Sequence, residues 1–402
     1  MARVLEDRPY QKRIVEKAFD CIASGDSKSI LIESPTGSGK TIMALKILYK
    51  LKQHDPSMRF VWVAMRRKLL AQAREENESI GVRDISFVSM FDKNPPKADL
   101  VLTDEAQHDA ASSCANIHEL AGSTYSIGLT ATPFRTDRVK LGYNKIIKDC
   151  GVRFLIDQGY LSQFDQYVLP EWTPRSTADA LLMDPEKWGS SVIYFQNEAL
   201  CREYISILEK GGVSCAFMHG KLSESERDDL FEAHETWSRE YRMGRPHCSD
   251  SVQVLANIHL LTEGFDAPYL QTSWVRDSCK LPTTQMAGRV LRKDPENPDK
   301  VAMMVQSSQT RFTYTKVANP RCQFLLQDGE WRCIGEGADV LRLNRLVAEN
   351  LFDKPVELPL YLQGFKKGAL KLNKDGELSK QSTELKQRKS ALSELADMFD
   401  EE

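Results

Sequence analysis

Residues 34–41 read Ser34-Pro35-Thr36-Gly37-Ser38-Gly39-Lys40-Thr41. An apolar run, Ser29-Ile30-Leu31-Ile32, leads into them, and the helix-like segment Thr41-Ile42-Met43-Ala44-Leu45-Lys46-Ile47-Leu48 leads out. Strand, glycine-bearing loop and helix in that order form the setting of a phosphate-binding loop. Gly37 and Gly39 let the backbone curl with its N–H groups turned toward an anion. The following helix adds the positive end of its dipole. In such a loop Pro35, Thr36 and Ser38 line the cradle, Lys40 reaches the β- and γ-phosphates, and the Thr41 hydroxyl ligates Mg²⁺. Position 34 is Ser rather than the Gly that opens the commonest form of the loop. Glycine turns between strand and helix are frequent, so the rest of the chain must say what a nucleotide would be for.

Working outward, 402 residues are enough for two or more domains. A hydrophobic content of 41% with 28% charged residues is that of an ordinary globular protein. The net charge of −3 gives no global basic signature, although a local basic groove remains compatible with it. The nine cysteines are scattered without a CxxC pair, which argues against a zinc ribbon and for free thiols in a reducing compartment. The N-terminal residues lack a signal-peptide core, and no apolar run approaches a membrane span. A soluble, cytoplasmic protein without membrane contact is expected.

Upstream of the loop, Arg8-Pro9-Tyr10-Gln11 precedes an amphipathic helix through Ile14, Val15, Ala18, Phe19 and Ile22. Tyr10 offers a ring face for a base, and Gln11 a donor and acceptor suited to the adenine edge. A surface turn before a helix is the plainer reading of these four residues. Downstream, the buried strand Phe60–Met65 runs into Arg66-Arg67-Lys68, cations at the strand end where open α/β sheets bind ligands. A solvated charge run explains them equally well. Ser89 closes the strand after that. The strand Ala98–Thr103 ends in Asp104-Glu105-Ala106-Gln107-His108. Asp104 is placed to hold Mg²⁺ and Glu105 to orient and deprotonate the attacking water. Thr130 and Thr132, ending a further strand, can couple this site to other surfaces.

This set resembles the superfamily 2 helicases and translocases. Arg8 to Gln11 match that family's adenine-reading motif, Ser34 to Thr41 motif I, Arg66 to Gln72 motif Ia, Asp104 to His108 motif II, and Thr130 to Pro133 motif III. Met65 stands where many relatives have Pro, and the spelling of motif II is closer to DEAH-like than to DEAD-box branches. Phe154–Leu161, with Gly159 as a helix C-cap, is similar to a segment of the subgroup containing type III restriction-enzyme helicase subunits and phage recombination helicases. In a second α/β pattern, Leu261–Pro268 resembles motif V, with Asn257 where relatives often carry Thr. Gln285-Met286-Ala287-Gly288-Arg289-Val290-Leu291-Arg292 matches motif VI. On one helix, offsets of four and three would put Gln285, Arg289 and Arg292 on a single face. The resemblance implies that this face meets the γ-phosphate, that Gly264 and Asp266 read nucleotide and lobe position, and that Arg66, Arg67, Ser89 and Thr262 contact phosphates of a nucleic acid.

The expected fold class is therefore α/β, two tandem RecA-like P-loop NTPase lobes with a small C-terminal extension. The expected boundaries are lobe 1 at 1–165, a linker at 166–190, lobe 2 at 191–315, an accessory segment at 316–365 and a mobile tail at 366–402. Asp328-Gly329 reads as a hairpin turn between Cys322 and Cys333. The tail ends in an acidic amphipathic stretch whose Leu392, Leu395 and Phe399 either pack on the body or dock a protein partner. The resemblance implies ATP and Mg²⁺ as cofactors, and a helicase or translocase on DNA, with branched DNA favoured. A double-strand translocase subunit, an RNA helicase and an ATP-switched clamp are the alternatives.

Overall fold

The computed structural model describes residues 8–108, 112–133, 141–258, 261 and 267–336. The first lobe is a six-stranded parallel sheet. Its strands are β1 (Ser29–Glu33), β2 (Phe60–Ala64), β3 (Ile85–Ser89), β4 (Leu100–Thr103), β5 (Tyr125–Thr130) and β6 (Lys145–Lys148), in the order β3-β2-β4-β5-β1-β6. Helices α1 (Pro9–Ala23), α2 (Lys40–His54), α3 (Arg67–Ile80), α4 (Ser112–Ala121) and α5 (Val152–Asp157) accompany it. Every residue of β2 and β4 is buried, as parallel strands covered on both faces require. Because the strands are parallel, the residues that follow β1, β2, β3, β4 and β5 all emerge at one edge of the sheet. Ser34, Met65, Met90, Asp104 and Ala131 stand there.

The second lobe is an eight-stranded sheet in the order β14-β13-β7-β12-β11-β8-β10-β9. It comprises β7 (Phe164–Leu169), β8 (Ser191–Tyr194), β9 (Cys215–Met218), β10 (Val254–Asn257), β11 (Thr272–Trp274), β12 (Ala302–Ser307), β13 (Cys322–Gln327) and β14 (Glu330–Glu336). Its helices are α6 (Pro174–Leu182), α7 (Glu198–Lys210), α8 (Glu224–Arg242) and α9 (Lys280–Gly288). Only the last pair, β13 with β14, is antiparallel. Asp328 and Gly329 join the two with φ of 52° and 78°, the positive values a tight hairpin turn needs. The capping box expected at Ser223 is formed: its hydroxyl accepts from Glu226 N–H at 3.2 Å, and the Glu226 carboxylate accepts from Ser223 N–H at 2.6 Å.

Two expected boundaries move. Residues 166–190 are not a linker: β7 pairs with β12 along its whole length, and α6, opened by a Thr173–Ser176 capping box, packs beside α7. The sequence hid β7 because Asp165 and Gln166 interrupt its apolar run. Asp165 is buried, and it is tolerated because Arg321 donates to it twice, at 3.0 and 2.8 Å, from 156 residues away. Likewise β13 and β14 are not an accessory segment but the far edge of the second sheet. Tyr167, Phe324 and Trp331 lock that edge down, with Tyr167 stacked on Phe324 at 4.7 Å and Trp331 edge-on to Tyr167 at 5.1 Å. Residues 337–365, and the tail with Leu392, Leu395 and Phe399, lie outside the described residues. No helix among the described residues is long and apolar enough to cross a membrane.

His234 of α8 sets an acid limit on this lobe. The ring is fully buried; its Nε2–H donates to the Gln253 carbonyl at 3.2 Å, which leaves Nδ1 to accept from the Tyr269 hydroxyl at 3.4 Å. Burial holds its pKa down at about 4. The unfolded chain takes up this proton near the ordinary histidine value and the folded one resists it. Stability is therefore complete above that value and falls with pH toward 4, by about 3 kcal/mol. Urea denaturation at pH 7 and pH 4.5 measures the loss, and His234→Gln is expected to flatten it.

Candidate nucleotide site between the lobes

The loop after β1 is shaped by its own serines. Ser34 N–H donates to the Thr130 carbonyl at 2.9 Å, tying the end of β1 to that of β5, and Ser34 Oγ donates to Ser38 Oγ at 2.7 Å. Gly37 and Gly39 both have φ of 82°, and Gly39 is the residue from which α2 starts. Lys40 and Thr41 thus form the first turn of α2, at the positive end of its dipole.

The adenine-reading motif turns out to hold the loop. Tyr10 Oη donates to the Ser38 carbonyl at 2.7 Å, and Gln11 Nε2 donates to the same oxygen at 2.8 Å. A carbonyl held by two donors cannot swing inward against an anion, so the cradle keeps its N–H groups for phosphate. A Cβ on Gly39 would lie 2.5 Å from Gln11 Nε2, so the glycine is needed for space as well as for φ. Tyr10 does not offer a ring face to a base: it is wholly buried, edge-on to Phe154 at 6.3 Å and to Tyr160 at 5.6 Å. Arg8 completes the relay, donating to Tyr10 Oη at 3.2 Å with its guanidinium 4.8 Å from the Tyr160 ring. The 154–161 segment therefore has a role that its sequence alone did not disclose. Its aromatics wall in Tyr10, and Leu161 lies where a Cβ on Gly37 would go, 2.8 Å away.

Across the sheet edge, Asp104 N–H donates to the Val63 carbonyl at 2.9 Å, and Asp104 Oδ1 accepts from Glu105 N–H at 2.9 Å. Glu105 has φ of 52°, a left-handed backbone that a non-glycine residue adopts only when its surroundings fix it. Those surroundings include Gln107, whose Nε2 donates to Glu105 Oε2 at 3.0 Å and whose Oε1 accepts from Thr130 Oγ1 at 2.8 Å. Thr130 Oγ1 in turn accepts from Thr132 N–H at 3.0 Å. Burial and the Glu105 charge push the Asp104 carboxyl up to about 7, while the Lys40 ammonium pulls the other way. A carboxylate so poorly compensated fits a divalent cation. Asp104 and Thr41 would hold Mg²⁺, which when bound neutralises charge on the β- and γ-phosphates.

The second lobe reaches this site through α9 and the turn after it. Gln285 and Arg289 are buried. A Cβ on Gly288 would sit 3.6 Å from Thr36 Cβ, and one on Gly37 would sit 3.7 Å from Arg292 Cγ, so the 288–292 segment lies against the phosphate loop. The single helical face expected for Gln285, Arg289 and Arg292 does not form. Helix α9 ends at Gly288, because the backbone beyond is captured by the segment leaving lobe 1. Ser162 N–H donates to the Leu291 carbonyl at 2.7 Å, and Leu161 bridges Arg292 in antiparallel fashion. Arg292 thus approaches the loop from a strand-like turn.

The structure also gathers Arg66, Arg67 and Ser89. Arg66 is the N-cap of α3 and Arg67 its first residue, and Ala64 pairs with Ser89. Thr262, Gly264 and Asp266 lie outside the described residues.

Comparison with known proteins agrees with this geometry. The family model described as type III restriction enzyme, res subunit, matches residues 4–89. A 51.5 kDa protein of Lactococcus phage (isolate 7-9) is 24% identical over 271 residues, 59% of this chain and 56% of that protein. The ATP-dependent RNA helicase DBP5 of Meyerozyma guilliermondii is 20% identical over 292 residues, 63% of this chain and 58% of that protein. The chain thus spans a little over half the length of these relatives. Among solved structures, a fragment described as an HsdR subunit of a type I restriction enzyme from Vibrio vulnificus YJ016 superposes with TM-score 0.55 at 18% identity, covering 81% of this chain and 70% of that one. S. cerevisiae Dbp5 bound to RNA and ADP BeF3 superposes with TM-score 0.51 at 15% identity, covering 78% and 90%. These structural likenesses show a shared two-lobed RecA-like fold.

Proposed function

We infer that this chain, a superfamily 2 helicase by its motifs and its two RecA-like lobes, is an ATPase that couples lobe closure to movement along DNA. One observation carries the coupling: the segment bearing Arg289 and Arg292 belongs to the second lobe yet lies against the phosphate loop of the first. An arginine delivered from a second body stabilises charge on the transferring phosphoryl group only while the bodies are together. Hydrolysis then separates them, and alternating grip advances the protein along a strand. Lys40 and Thr41 bind the phosphates and Mg²⁺, Asp104 holds the metal, and Glu105 prepares the water. Arg66, Arg67, Ser89 and Thr262 take the phosphates of the nucleic acid, and Gly264 and Asp266 sense the nucleotide.

DNA is favoured by the Asp-Glu-Ala-Gln-His spelling of motif II and by the match to a restriction-enzyme family model over residues 4–89. The likeness to DBP5 supports RNA as the second reading. ATP hydrolysis measured with single-stranded, duplex and forked DNA and with RNA, in parallel, separates them. We expect DNA to stimulate turnover and forked DNA to be unwound. Stimulation by RNA alone would transfer the assignment to RNA, and hydrolysis indifferent to any nucleic acid would remove it.

A further inference from the structure

Phe91 is 62% exposed, the most exposed large apolar side chain among the described residues. Nothing in the nucleotide site uses it. Its exposure is not that of a slack loop, because the turn after β3 is hydrogen-bonded at each step. Met90 N–H donates to the Ala64 carbonyl at 3.1 Å, Phe91 N–H to Ser89 Oγ at 3.3 Å, and Asp92 N–H to the Ser89 carbonyl at 2.9 Å. The phenyl ring is therefore presented to solvent from a turn fastened to the end of β2. That strand end is followed by Met65, itself 40% exposed, and then by Arg66 and Arg67. Two exposed apolar side chains thus stand beside the cations that α3 offers to phosphates.

The adjoining cavity, about 570 Å³, selects between the parts of a nucleotide. Arg67 and Arg74 of α3 line one part of it, with Ser89 and Asp92 from the turn that carries Phe91, while Glu224 and Asp228 of the second lobe's α8 also line it. A phosphate entering there meets carboxylates. An uncharged base with donors and acceptors on its edge does not, and it finds both kinds of partner.

We propose that Phe91, backed by Met65, is a base-stacking contact for single-stranded DNA, the strand's phosphates lying on Arg66 and Arg67 and one base covering the phenyl face. Aromatic faces beside a cationic track bind single strands without regard to sequence, because every base has a π-face. Such a contact favours the unpaired strand, since a base in a duplex has its faces covered already. The proposal rests on the nucleic-acid reading of the protein.

The test measures binding of the full-length chain to a labelled single-stranded DNA oligonucleotide and to the same backbone with abasic residues. Wild-type protein is expected to bind the base-bearing strand about tenfold more tightly than the abasic one. Phe91→Ala should bind both alike, at the abasic level. Phe91→Trp should restore the preference, with its indole fluorescence quenched on binding. A Phe91→Ala protein that keeps the wild-type preference overturns the base contact while leaving the motor intact. Wild-type protein that binds neither strand overturns the motor assignment together with the contact.

Discussion

Glu105→Gln is expected to bind ATP as the wild type does and to lose turnover by about 10³-fold. The amide keeps the size of the side chain and its hydrogen bond to Gln107 but cannot take a proton from water. The backbone at Glu105 is strained at φ of 52°, and Gln107 and Thr130 fix the carboxylate by hydrogen bonds of 3.0 and 2.8 Å. A group held this firmly orients a water as well as activating it. Steady-state hydrolysis together with binding of a fluorescent ATP analogue separates the two functions. Appreciable turnover by Glu105→Gln would show that another group prepares the water.

Arg289→Ala should be comparably severe, about 10³-fold in turnover, because a phosphoryl-stabilising arginine commonly contributes that much or more. Arg289 is 5% exposed at the end of α9, one residue beyond the Gly288 that faces Thr36. ATP affinity should change far less than turnover, since Lys40 and the loop amides remain. The informative readout is stimulation: a residue that acts only when the lobes close should remove the response to nucleic acid along with the chemistry. If Arg289→Ala lowers basal hydrolysis but keeps its stimulation, closure is sensed elsewhere, and Arg292 would be the next residue to change. Because Arg289 is buried, a thermal melt of the variant distinguishes lost chemistry from lost folding.

The strand-ending positions were the most readable part of the chain. A parallel strand buried on both faces must be apolar, and the polar residue that ends it must stand at the sheet edge. Ser34, Arg66 and Asp104 are located by that rule with no further knowledge. What could not be read depends on partners distant in sequence. Tyr10 and Gln11 suit a base in isolation. Their actual partner, the Ser38 carbonyl, lies 28 and 27 residues away, and the aromatics that bury Tyr10 come from the 154–161 segment. β7 escaped notice because a strand containing Asp165 becomes credible only beside Arg321. Arg292 was placed on a helix because helical spacing suited it, whereas pairing with Leu161 holds its backbone. Local pattern names the residues at an edge, and long-range pairing decides what they face.

The strand order of the second sheet has a consequence for how the protein is made. The first lobe's six strands are all synthesised before β7 appears, so that sheet can close while the rest of the chain is still being translated. β7 then lies between β12 and β13, the strands that emerge near the end of the described chain. Until they arrive it is an unpaired apolar strand beside a finished domain, with Asp165 still waiting for Arg321. The growing protein thus passes through a stage in which half of it is native and the other half is adhesive. Ribosome-bound chains stopped just before residue 300 would be the species on which a chaperone, or an aggregate, acts.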